Sequence, residues 1–301
     1  MGDIQARTRQ LLRDSISVNT RIAYDTAVKA FNNFRVSHGL SSCWPATRQQ
    51  LVYFVASCFE KGFSPATIST YCSGISFYHK INAWSDPTDT FIITKMLEGC
   101  RRSRNCSDDR APISKELLDS ILKVLPDVCY DNYECKLFSA AYTLAYFGLL
   151  RVGELAFTTA AQSDRPLQYK DIGFNPDRSI MLVCIRKSKT NQRGMPTKLQ
   201  IASSIEDSIC CIKAMVGYLQ VRQADQGYLF CHQNKKPLSR YQFASVLSKC
   251  IKALGLPCMK YKTHSFRIGR ATELATSGVS METIKLMGRW TSNVYSKYIR
   301  L

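Results

Sequence analysis

The chain is short of acid: its 301 residues include 41 Lys or Arg against 23 Asp or Glu, a formal charge of +18. That deficit favours a polyanion as partner, nucleic acid ahead of a membrane surface, over a basic protein with no anionic ligand. A segment fit to span a bilayer is missing too. The longest apolar run, Leu137 to Leu150 between Lys136 and Arg151, has the length of a buried core helix. Met1-Gly2-Asp3-Ile4-Gln5 has no signal-peptide apolar stretch, and Ala6 stands where an N-myristoylation site carries Ser or Thr. The thirteen cysteines are odd in number and form no CxxC pair. The adjacent pairs Cys210-Cys211 and Cys231-His232 have the wrong spacing for tetrahedral chelation, which argues against structural zinc. Buried free thiols in a reducing compartment are the expectation. No internal repeat or low-complexity tract occurs.

What is present is enough apolar material, 45% of residues, for a real core, and a length that suggests about two domains. The first hundred residues read as helices only. Asn19 or Thr20 caps a helix with Ile22, Ala23, Ala27, Ala30, Phe31 and Phe34 on one side, ended by His38-Gly39. Thr47-Arg48-Gln49-Gln50 is a capping box opening a helix through Phe59, stopped at Gly62. Ser64-Pro65 starts a helix carrying Ile68, Tyr71, Ile75 and Tyr78, and a fourth runs from about Thr90 to Cys100. These short helices predict a compact bundle over residues 1–105. The polar run Arg101 to Arg110, closed by Ala111-Pro112, breaks the apolar pattern, and a linker is set at 106–113. Arg101, Arg102 and Arg104 either touch a DNA backbone or are simply solvated.

Residues 114–301 read as mixed. Ser114 caps a helix with Leu117, Leu118, Ile121 and Leu122, and the long apolar helix follows, ending at Leu149-Leu150-Arg151. Ile180 to Ile185 is a β-type run, Lys187 to Gly194 a polar turn, and Thr197 to Ile201 alternates like a returning strand. Three more helical stretches are expected before His264.

The candidate chemistry sits late in the chain. His264 and Arg267 are spaced to share a helix face one turn apart, so one phosphate takes a forked guanidinium and an imidazole donor together. Arg151 is either a partner of Glu154 near a helix end or a second guanidinium for the same phosphate. Lys189, in Arg186-Lys187-Ser188-Lys189-Thr190, is either a solvated turn lysine or a general acid for a leaving oxygen, with Arg186 and Lys187 as alternatives. The Trp290 indole donates without titrating. Taken singly, each of these, and Tyr298 among fifteen tyrosines, reads as structural; their joint order does not.

Leu149-Leu150-Arg151-Val152-Gly153-Glu154-Leu155, Ser188-Lys189-Thr190, His264-Ser265-Phe266-Arg267, Gly288-Arg289-Trp290 and Tyr298-Ile299-Arg300 together resemble the tyrosine recombinase (phage integrase) family. The resemblance is closest to the Cre-like branch, with tryptophan where many relatives have histidine, and extends to recombinases of eukaryotic Crypton and DIRS-type mobile elements. It covers Leu149 onward by motif and the N-terminal helices by pattern only. It implies a mainly α fold with a small β-sheet: an N-terminal helical, SAM-like core-binding domain and an α+β catalytic domain. By position it makes Arg151 and Arg267 the phosphate clamp, Lys189 the acid for the leaving hydroxyl, and His264 a phosphate ligand that assists proton transfer. Trp290 becomes a donor and buttress, Tyr298 the nucleophile, and Glu154 a residue orienting the site from behind. The interval from Trp290 to Tyr298 is one residue shorter than the commonest family spacing, so Tyr295 competes with Tyr298 as nucleophile. The Tyr298-Ile299-Arg300 context favours Tyr298. Many relatives continue past the position of Leu301 with a helix that docks on the next protomer, which puts that mode of assembly, or the completeness of the sequence, in question.

The resemblance further implies a DNA strand-exchange enzyme acting through a 3′-phosphotyrosyl link, with no metal or other cofactor. Its partners are double-stranded DNA and, when DNA-bound, a homotetramer on two duplexes, with no membrane. It works inside the cell with DNA, in the nucleus if the host is eukaryotic. The rival readings are a type IB topoisomerase-like enzyme and a domesticated DNA-binding protein that has lost catalysis.

Overall fold

Side-chain caps decide where the first helices begin. In the computed structural model, which describes residues 2–104, 108–158, 165–187, 196–203 and 209–300, residues up to Asp108 form one compact unit and those from Asp109 another. The first unit holds α1 (Gly2–Asp14), α2 (Val18–Ser37), α3 (Arg48–Glu60), α4 (Pro65–Ile81) and α5 (Phe91–Ser103). The capping box of Thr47 and Gln50 opens α3, and Ser64 with Pro65 opens α4, as the sequence indicates. The α2 cap is Ser17 rather than Asn19 or Thr20: its side chain accepts from the Thr20 N–H, so Thr20 lies inside the helix. α1 is an element that the sequence reading lacks. Ile22 faces outward, and Ala27, Phe31, Phe34 and Arg35 make the buried stripe of α2. That stripe packs on Leu51, Phe54, Val55, Ile68 and Ile75 of α3 and α4. α5 continues through Ser103. Arg104 then donates to the carbonyls of Phe59, in the last turn of α3, and Phe63, just beyond it, and Arg102 pairs with Glu98, so these arginines have local work.

The second unit begins with α6 (Lys115–Val128), capped by Ser114, and α7 (Asn132–Phe147), capped by Asp131. Ten residues of α7 are buried, because the uncharged run leaves it no polar face. Tyr142 at its middle donates to the Phe243 carbonyl at 3.0 Å and stacks on Phe266. α7 ends at Phe147, three residues before the apolar run does. Gly148 caps it and Leu149 takes φ +48°, a left-handed conformation that stops the helix although its side chain stays fully buried. A single turn, α8 (Val152–Leu155), follows.

The sheet has three antiparallel strands in the order β1 (Ile172–Phe174), β2 (Ile180–Ile185), β3 (Thr197–Ala202). β2 and β3 are the expected pair, in a register that sets Val183 opposite Leu199. Met181, Val183 and Ile185 are buried, as period-two alternation requires. β1 was not legible, being three residues long. Two helices, α9 (Cys211–Val221) and α10 (Arg240–Ala253), precede His264 among the described residues, against the three stretches expected. The segment between them makes bridges from Tyr228 to Gln168 and from Cys231 to Pro237. α11 (Ser265–Thr276), α12 (Met281–Met287) and a 3-10 helix over Asn293–Tyr298 complete the unit. Gly269 of α11 lies so close to the Ile113 carbonyl that a Cβ there would sit 1.7 Å from its oxygen. The Ile113 N–H in turn donates to the Ser265 carbonyl, which fixes the start of α11. The described cysteines are free thiols, and no described helix is long and apolar enough to cross a membrane.

Candidate active site

The left-handed turn after α7 brings three things to one place: the Gly148 and Leu149 carbonyls, and Arg151. Arg151 is the N-cap of α8, and Glu154 returns to it. The Glu154 carboxylate accepts from the Arg151 backbone N–H at 2.9 Å and from its guanidinium at 3.3 Å. Glu154 is 3% exposed, and these partners offset the cost of burying its carboxylate.

α11 supplies the next pair. His264 is its N-cap and Arg267 lies in its first turn, close to the shared face that the spacing predicts. Arg267 is wholly buried. Its guanidinium donates to the Leu149 carbonyl and, at 3.0 Å, to the Gly288 carbonyl, while Nε has no partner among the described residues. The Trp290 ring covers it at 4.5 Å and the Tyr298 ring at 5.5 Å.

The last elements close over this centre. Gly288 must be glycine, because a Cβ would fall 1.6 Å from the Trp290 ring. Trp290 is buried, and its ring centroid is 5.1 Å from Tyr298 and 6.5 Å from Tyr295. Tyr298 also faces the His264 ring at 6.2 Å. The two tyrosines lie on one 3-10 helix, whose three-residue turn nearly eclipses them. Thr272 of α11 anchors that helix, donating to the Tyr298 carbonyl at 3.4 Å and accepting from the Arg300 N–H at 3.0 Å.

Positive charge dominates. Burial, reinforced by Arg110, Arg267, Arg240 and Arg151, holds the His264 pKa down at about 4, so the imidazole is neutral at pH 7. Burial first, then Arg151 and Arg289, also push Arg267 below the usual arginine value. A neutral imidazole, two guanidiniums and a phenol on one centre suit a singly charged phosphodiester that gains charge in its transition state. Among the described residues no cluster of His, Cys, Asp or Glu could hold a metal ion.

Arg151, Glu154, His264, Arg267, Trp290 and Tyr298 thus come together. Tyr295 touches the edge of the group through Trp290. Lys189 and its neighbours Ser188 and Thr190 lie outside the described residues. Of the alternatives to Lys189, Arg186 is engaged elsewhere, paired at 3.0 Å with the buried Asp171 at the base of the hairpin. Sequence reasoning gave no role to Arg289 or Thr272. Arg289 stood in a quoted motif but nothing in the sequence pointed to its partners, and Thr272 offered no signal either.

Comparison with known proteins places the fold. Residues 118–300 match the model of the phage integrase family, and residues 8–85 match the phage integrase N-terminal SAM-like domain. The chain is 22% identical over 304 residues to an integrase/recombinase XerD homolog of Selenomonas ruminantium, covering 96% of this chain and 83% of that one. It is 22% identical over 278 residues to the Cre recombinase of Escherichia phage P1, covering 84% and 74%. Among solved structures, the Tn1549 transposon integrase in complex with circular intermediate DNA superposes with TM-score 0.64 at 17% identity, over 97% of this chain and 94% of that one. A lambda integrase dimer bound to a COC′ core site gives TM-score 0.64 at 16% identity, over 100% and 95%. With the family's catalytic segment matched across most of the second unit and its SAM-like domain matched in the first, the protein belongs to the phage integrase family, the tyrosine recombinases.

Proposed function

We propose that Tyr298 is the nucleophile with which this tyrosine recombinase cuts and rejoins double-stranded DNA. The observation that carries the reading is the convergence on its ring of Arg267, Trp290 and His264, at 5.5, 5.1 and 6.2 Å. Tyr295 contributes a ring contact to Trp290 at 6.5 Å. In the first step the Tyr298 phenol oxygen bonds to phosphorus and the bond to the 5′ oxygen breaks. The product is a 3′-phosphotyrosyl link and a free 5′ hydroxyl. The phenol proton passes to the neutral His264 imidazole, and Lys189 gives a proton to the departing 5′ oxygen. Arg151 and Arg267 carry the charge on the non-bridging oxygens, and Trp290 adds its indole N–H. The 5′ hydroxyl of a partner duplex then reverses the step, and bond energy kept in the phosphotyrosine makes ATP unnecessary.

Two of the solved relatives are described in complex with DNA, and one of these as a dimer on its site, which supports duplex DNA as ligand and a DNA-bound oligomer here. The assembly proposed is a tetramer on two duplexes, in the cell compartment that holds the DNA, the nucleus in a eukaryotic host. The domain reading is a core-binding domain over 1–105, a linker over 106–113 and a catalytic domain over 114–301. The compact units and the segments of the two family matches support it.

The test is covalent trapping. The protein is mixed with random-sequence duplexes nicked so that the cleaved end diffuses away, and adducts are separated under denaturing conditions. An adduct formed by wild type and by Tyr295→Phe, and absent in Tyr298→Phe, is expected. Loss in Tyr295→Phe alone would transfer the nucleophile to Tyr295.

A further inference from the structure

Glu154 does not belong to Arg151 alone. Its Oε2 also accepts from Arg289 Nη2 at 3.0 Å, and the Arg289 side chain is 7% exposed. Arg289 comes from the turn after α12, far along the chain from Glu154, and reaches back across the site. Its Nη1 donates to the Gly148 carbonyl and its Nη2 to the Leu149 carbonyl, each at 3.2 Å. The Leu149 carbonyl is also an acceptor for Arg267. One side chain therefore binds the carboxylate that holds Arg151 and the carbonyl that holds Arg267. Its backbone has φ +54°, and Leu149 opposite has φ +48°, both disfavoured for residues with a Cβ. Two such residues joined by a hydrogen bond at a reaction centre mark a strained constellation held in place by its contacts.

We propose that Arg289 is a positioning residue for strand cutting: through Glu154 and the Leu149 carbonyl it keeps Arg151 and Arg267 aimed at one phosphate. The inference rests on the reading of those two arginines as the phosphate clamp. Charge sharing gives the reason. If Glu154 faced only Arg151, the pair would be neutral, and Arg151 would offer the phosphate little attraction. With Arg289 taking part of the same carboxylate, Arg151, Arg267 and Arg289 set three guanidiniums against one carboxylate, and the excess faces the phosphate.

The experiment uses the full chain and the random-sequence nicked duplex pool. Adduct formation is followed at saturating DNA, half-saturation and thermal melting are measured alongside, and Arg289→Gly, Arg289→Lys, Glu154→Gln and the double variant Glu154→Gln/Arg289→Gly are compared. Glycine accepts the left-handed backbone, so Arg289→Gly removes the side chain while easing the chain's strain. The expected result is a rate loss of roughly 100-fold for Arg289→Gly with half-saturation moved less than about threefold. Arg289→Lys should recover part of the rate, and the double variant should be no slower than its slower parent, because both act through one carboxylate. Arg289→Gly cleaving within about threefold of wild type would overturn the proposal. So would a loss of cleavage that merely tracks lost melting temperature and lost DNA binding, with lysine no better than glycine. Wild type binding the pool yet giving no adduct would instead sink the reading of the site itself, and the positioning role with it.

Discussion

At the scale of single residues, the site is a set of buried cations that tolerate one another because one carboxylate and several carbonyls sit among them. His264 reports that tension. Its folded pKa of about 4 lies below the ordinary 6.5, so between those values the unfolded chain binds the proton and the folded chain does not. Stability is therefore at its plateau above about pH 6.5 and declines as pH falls towards 4, by at most about 3 kcal/mol. Denaturant midpoints for wild type and His264→Gln, measured from pH 7 to pH 4, should diverge by losing this part of the slope in the variant. Equal slopes would mean that His264 is not the titrating group. The candidate residues could be picked out of the sequence because their side chains are phosphate donors occurring in a fixed order, and the fold brings Arg151, His264, Arg267, Trp290 and Tyr298 together. Arg289 was not legible: an arginine next to a core tryptophan gives no sign in sequence of which carboxylate it will meet.

At the scale of elements, starts were easier to read than ends. Thr47, Ser64 and Ser114 announce their helices because a cap is a local hydrogen bond within three residues. The α7 helix stops before the expected end because, although Leu149 and Leu150 continue the apolar pattern, the tertiary need to turn the Gly148 and Leu149 carbonyls towards Arg267 and Arg289 overrides it. The stretch after α9 forms bridges and buries Leu229, Phe230 and Cys231 against neighbouring segments, a non-local arrangement that leaves no periodic signal. The β2–β3 hairpin carries its own prediction. If Lys189 protonates the leaving oxygen, Lys189→Ala should cut ordinary DNA at least roughly tenfold more slowly. A substrate whose 5′ bridging oxygen is replaced by sulfur should restore the rate, since a thiolate leaves without an acid. An equal deficit on both substrates would remove Lys189 from that role. Arg186→Lys should behave alike on both, because Arg186 is committed to Asp171.

At the scale of the whole molecule, the charge of +18 is the property that diffusing DNA meets first. Binding measured by anisotropy should weaken by about a thousandfold or more between roughly 50 and 200 mM salt, as counterion release predicts for six or more phosphate contacts. A flat salt dependence would place the affinity in uncharged contacts instead. The surplus is not spread over the core: the first unit buries Arg35 between Phe31 and Trp44, whereas the second gathers Arg151, Arg267 and Arg289 around Glu154.

The sequence by itself determined the mainly helical architecture with its small sheet, the family, and the order of the candidate site residues. Periodicity, caps and donor chemistry are local properties, and a motif survives as a string. Tertiary structure alone decided which charges share a carboxylate, that Leu149 turns left-handed, that Gly288 yields its space to Trp290, and that Thr272 anchors the helix of Tyr298. Those are contacts between segments distant in sequence, 26 residues apart for Thr272 with Tyr298 and 135 for Arg289 with Glu154, or steric vetoes within a packed interior. No one-dimensional pattern records them, because each depends on where the rest of the chain has already gone.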